Sequence, residues 1–71
     1  MTGNESSDVA NLRQLRSLSV ALKRAARLFD DSIVYSTQGL HERASDRVSA
    51  AHDVMAHAVT LASAVRPPNG P

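Results

Sequence analysis

Three histidines, at positions 41, 52 and 57, are the residues of this chain best suited to hold a metal ion, accept a phosphoryl group or move a proton near neutral pH. Their spacing limits what they can do together. On a helix His52 and His57 stand about 140° apart, and His41 lies roughly 16 Å further along the axis from His52, so the three cannot share one ion within a chain. Asp53 and His57, four residues apart, share a helix face and could supply two ligands, but such pairs are more often surface ion pairs than half of a tetrahedral site. The chain has no cysteine to complete the set as thiolate or to form a disulfide. A glycine-rich phosphate loop, a cysteine nucleophile and a pair of carboxylates on a buried face are all missing. The expectation is therefore a non-enzyme with no metal, no cofactor and no small-molecule substrate.

Charge gives a second candidate function. Between Val9 and Phe29 stand five cations, Arg13, Arg16, Lys23, Arg24 and Arg27, and not one acid, a concentration that the overall net charge of +1 conceals. Such a face either keeps a helical protein soluble or meets an acidic protein partner. Nucleic acid and anionic membrane are weaker readings, because no aromatic residue interleaves the cations to stack on bases and no helix-turn-helix spacing can be placed. Asp30 and Asp31 follow the cationic run and could meet Arg43 or Arg47 from across a turn.

These residues need elements to carry them. Leu15, Leu18, Leu22, Ala25 and Phe29 repeat at spacings of 3 and 4, with Val9, Leu12, Ala26 and Ile33 widening the stripe, which predicts a helix over about 8–36 capped by Ser7 or Asp8. The run from Ser32 to Gly39 gathers β-branched and hydroxyl residues and ends in a glycine suited to the left-handed conformation that closes helices, so the turn is placed at about 36–40. A second helix over about 40–65 carries His41, Ala44, Val48, Ala51, Met55, Ala58, Ala62 and Val65 in unbroken 3-4 order, and Pro67 stops it. One continuous helix through Gly39 is the competing geometry, since an interior glycine costs only about 1 kcal/mol. Residues 1–7 and the proline-containing 66–71 read as polar tails around a hairpin domain at 8–65.

One stretch has a familiar look. His52-Asp53-Val54-Met55-Ala56-His57-Ala58-Val59-Thr60, preceded by Asp46-Arg47-Val48, resembles the phosphoacceptor helix of bacterial sensor histidine kinases, in the subfamily whose accepting histidine is followed by aspartate. The resemblance covers about nine residues. It implies a dimeric four-helix bundle with His52 as phosphoacceptor and Asp53 as the neighbouring acid. In that family the histidine sits on the first helix and is preceded by glutamate and leucine; here the motif lies on the second helix, after Ala50 and Ala51.

The fold class read from the sequence is thus all-α, an antiparallel hairpin that dimerises into a four-helix bundle. Seventy-one residues, 42% hydrophobic with 11 alanines and a single Phe and Tyr, leave little material for a sandwich of sheets. A chain this short buries only about 60% of the surface that its unfolded form exposes, and without disulfide or metal a second copy is the natural source of further burial. The residues assigned to the core and dimer are Leu15, Leu18, Leu22, Phe29, Val48, Ala51, Met55, Ala58 and Ala62; the five cations are assigned to a partner. Arg13 and Arg16 interrupt the early apolar stretch, so neither a cleaved signal nor a membrane span is expected and the location is read as cytoplasmic. Arginine outnumbers lysine 7 to 1, a composition in keeping with a GC-rich bacterial genome. The leading expectation is a homodimeric adaptor, regulator or assembly subunit, and the alternative is a phosphotransfer protein using His52.

Overall fold

Gly39 decides between the hairpin and the single long helix. In the computed structural model, which describes residues 2–67 and the side chains from residue 8 onward, its φ is +77°. That value lies in the left-handed region, where a residue bearing a Cβ is strained. Helix α1 runs over Thr2–Thr37 and helix α2 over His41–Ala64. Leu40 N–H donates to the Tyr35 carbonyl at 2.9 Å and Gly39 N–H to the Ser36 carbonyl at 3.1 Å, the paired bonds of a Schellman motif that satisfy the last carbonyls of α1. Leu40 also begins α2: its carbonyl accepts from Ala44 N–H at 3.0 Å. One residue thus ends one helix and starts the next, and the chain reverses within three residues.

α1 begins earlier than the sequence suggests. Residues 2–7, read as part of an N-terminal tail, are helical from Thr2, which places Ser7 and Asp8 inside the helix and not at its cap. The segment is polar but holds no proline, and Gly3 weakens a helix by only about 1 kcal/mol. At the other end Val65 is extended, with ψ at 133°, as a residue close before Pro67 permits, and its N–H donates to the Ala62 carbonyl at 3.2 Å. Arg66, placed by the sequence reading in the C-terminal tail, is held: its N–H donates to Asn11 Oδ1 at 2.8 Å and its carbonyl accepts from Asn11 Nδ2 at 3.1 Å. Residues 68–71 of that expected tail lie outside the described residues.

Alanine makes the seam between the helices. From α2 the buried residues are Ala44, Ala51 and Ala58, with Val48, Met55 and Val65 half-buried in the same rows. From α1 the buried residues are Ala21, Ala25 and Ser32, and Asn11, Gln14, Leu18, Leu28 and Tyr35 complete an unbroken 3-4 repeat from 11 to 35. Small residues on both sides let two backbones approach towards the near end of the roughly 8–10 Å range of helix packing. The Ser32 hydroxyl uses that proximity, donating to the Ala44 carbonyl of α2 at 3.0 Å. Among the described residues no buried side-chain nitrogen or oxygen lacks a partner.

Four residues assigned to the core and dimer from the sequence stand outside the seam within one hairpin. Leu15, Leu22 and Phe29 remain 38%, 44% and 37% exposed, and Ala62 is exposed as well. The three large ones form a row one residue out of step with the seam, whose most buried positions on both helices are taken by small residues, so that row is turned to the flank. Leu18, Val48, Ala51, Met55 and Ala58 are in the seam as expected. The hairpin is correspondingly slender, 58 × 16 × 16 Å with a radius of gyration of 16.6 Å, where a compact chain of this length has about 11 Å.

Two substitutions test this geometry. Gly39→Ala meets no atom within 4 Å, so its whole cost is the left-handed backbone, about 1–2 kcal/mol of unfolding free energy in urea titration, with Gly39→Asn losing less. A Gly39→Ala chain as stable as the parent would contradict the turn. Asn11→Ala removes both bonds to Arg66, and is expected to cost about 1 kcal/mol and to speed amide exchange at Arg66 while the amides around Gly39 are unchanged.

Candidate functional site

The seam divides the surface of the hairpin into two long edges of different character. Phe29 and His52 mark one: their rings meet edge to face with centroids 6.1 Å apart. Arg24 and His57 mark the other, lining a shallow groove of about 360 Å³ between α1 and α2 together with Arg16, Ser17, Val20, Ala21 and Val54.

Cations and small apolar groups are mixed on the second edge. The groove continues along α1 into a depression of about 470 Å³, where Val20 and Arg24 are joined by Lys23, Arg27, Leu28 and Asp31. Four of the five cations assigned to a partner thus border one continuous strip, and Arg13 is exposed on the same helix, nearer its N-terminus. Val20 lies in the middle of the strip and is 65% exposed. Its place follows from the helix repeat: Arg16, Val20 and Arg24 succeed one another at intervals of four residues, so the valine is flanked above and below by guanidinium groups. At the turn end Arg47 sits over the Tyr35 ring, 5.8 Å from its centroid, within cation–π range. Tyr35, Arg43, Asp46 and Arg47 surround a further hollow there.

Hydrophobicity alone does not single out Val20, Val54 or His57 as lining residues. The signal that does is positional: Val54 and His57 lie three apart on α2, and Val20 interrupts a polar row on α1. Such a strip can hold carboxylates at its rim while an apolar side chain rests on Val20, Ala21 and Val54.

The first edge is apolar on α1 and small on α2. Leu12, Leu15, Leu22, Ala26, Phe29 and Ile33 repeat at 3-4 spacing with only Ser19 interrupting, and Ile33 is 61% exposed. Beside them α2 presents His52 and Val59, with Ser49, Ala56 and Ser63 in the next row, all exposed. His52 therefore stands at the border of an apolar face, with Asp53 exposed beside it in the chain. His41 is at the first position of α2 and His57 on the opposite edge from His52, so the helix carries its three histidines to three different places. Among the described residues no group of three or more His, Asp or Glu side chains is close enough to hold a metal ion, and no helix is long and apolar enough to cross a membrane.

Comparison with known proteins returns no match of the chain to a family model, to a curated protein or to a solved structure.

Proposed function

We propose that the chain is a non-enzymatic protein–protein interaction module of the adaptor, regulator or assembly-subunit kind, a homodimer whose basic edge receives an acidic protein segment. The observation that carries this reading is the strip itself: Arg16, Lys23, Arg24 and Arg27 gathered around exposed Val20 along the groove between two helices. A cationic rim around an apolar floor suits a partner helix that carries carboxylates beside one apolar anchor, because the charges steer encounter and the anchor supplies the desolvated contact. Nucleic acid is a poorer fit, since the strip offers no aromatic platform for a base.

Phosphotransfer through His52 is the second reading, supported by the exposure of His52 and Asp53 on α2 and by their likeness to the histidine-kinase motif. Incubation with acetyl phosphate followed by intact-mass measurement separates the two. An acid-labile addition that is lost in His52→Gln belongs to phosphotransfer, and an unmodified chain belongs to the interaction module.

Replacing Arg16, Lys23, Arg24 and Arg27 together by glutamine tests the basic strip. Circular dichroism and melting are expected to change little, because exposed charges add little to folding. Affinity capture from the source cells at low salt is expected to recover an acidic partner with the parent and to lose it with the variant, and added salt is expected to weaken the parent complex. The same proteins captured by both chains at low salt would remove this edge from the interface.

A further inference from the structure

The apolar edge of the hairpin is exposed along α1, with Leu12, Leu15, Leu22, Phe29 and Ile33 each more than a third accessible. The chain exposes 5659 Å², whereas a compact folded monomer of 7.6 kDa exposes about 4,300 Å². The excess of about 1,400 Å², spread over the whole slender chain, leaves room for the roughly 800 Å² that each partner gives to a standard interface. A second copy of this chain fits the edge by size as well as by area. On α1 the edge is bulky, with Leu15, Leu22 and Phe29 seven residues apart, and on α2 its outer row, beyond His52 and Val59, is small, with Ser49, Ala56 and Ser63 seven apart.

The contacts that hold the hairpin also set the heights of these rows. Asn11 lies level with Arg66, Ser32 with Ala44 and Phe29 with His52. Leu15, Leu22 and Phe29 therefore lie within about one turn of the levels of Ser63, Ala56 and Ser49 respectively. A two-fold axis running along the helices preserves height while exchanging left for right, so it lays α1 of one copy over α2 of the other, antiparallel. Each large side chain then faces a small one. Ser63 brings little polar cost to such a contact, because its hydroxyl already donates to the Val59 carbonyl at 3.0 Å.

We infer that two copies pair through this edge about an axis parallel to the helices, with both turns at the same end, seating Leu15, Leu22 and Phe29 of each copy on Ser63, Ala56 and Ser49 of the other. This rests on the homodimeric reading above and gives it an interface and a handed arrangement. Two consequences follow. His52, beside Phe29, is covered by the second copy, whereas the two basic strips, on the far edges, face outward in opposite directions.

The absence of cysteine makes the arrangement directly testable. Leu22→Cys and Ala56→Cys chains, both changed at exposed positions, are purified separately, mixed, exchanged and oxidised. A covalent dimer is expected from the mixture and not from either variant alone, and the same is expected of the pair Leu15→Cys and Ser63→Cys. In sedimentation the parent is expected to be a dimer, Leu15→Gln/Leu22→Gln a helical monomer, and the basic-strip glutamine variant still a dimer, which keeps the fate of this interface separate from that of the partner site. A monomeric parent would overturn the inference. So would a dimer in which Leu22→Cys cross-links with itself, since that places α1 over α1, or one in which neither cysteine pair cross-links.

Discussion

The close approach of two alanine-lined backbones is the constraint from which the rest of this structure follows. Ala51 is fully buried and Ala25, Ala44 and Ala58 nearly so, yet none of them removes much apolar surface from water by itself. Their contribution is distance. With alanine at the most buried positions of both helices, a serine hydroxyl on α1 can reach a backbone carbonyl of α2, and the asparagine side chain at position 11 can clasp both backbone groups of Arg66. The turn supplies the third fixed point, where Gly39 and Leu40 end one helix and begin the other. Register is thus set at both ends by polar contacts and in the middle by size.

A narrow seam has a cost, which is that the large side chains must go elsewhere. They are turned to one flank, where they form a face too apolar to be explained by scattered surface residues. The cations go to the other flank and to the back of α1. The two edges therefore differ in chemistry because two heptad rows of α1 are consumed by the seam and the rows on either side of them are not. On the reading proposed above, that asymmetry gives one short hairpin a separate edge for each of two partners, a copy of itself and an acidic segment.

Much of this was legible in the residues. Gly39 and Pro67 mark the end of α1 and the stop after α2 for reasons of backbone geometry that no tertiary contact overrides, and the 3-4 repeat of alanines on α2 places its seam directly. The seam of α1 was not legible in the same way. Two overlapping repeats run along that helix one residue apart, and ranking by hydrophobicity selects Leu15, Leu22 and Phe29, whereas the small residues of α2 select Ala21, Ala25 and Ser32. Only the pairing of both helices decides between them. The helical start at Thr2 was hidden because a polar segment without periodicity gives no sign when it merely extends a helix already formed. The basic strip was half visible: the cations are plain in the sequence, but Val54 and His57 reach it only once α2 folds back.

The most direct test of the alanine seam is the stability of Ala51→Leu by denaturant unfolding. Leucine is more hydrophobic than alanine and no worse than slightly poorer as a helix former, so at an ordinary core position with space to spare it would stabilise the chain. Between two closely spaced backbones it has no room, and a loss of about 1–3 kcal/mol is the expected result. An Ala51→Leu chain that unfolds at the same denaturant concentration as the parent, or at a higher one, would contradict close packing of the helices and the registers derived from it.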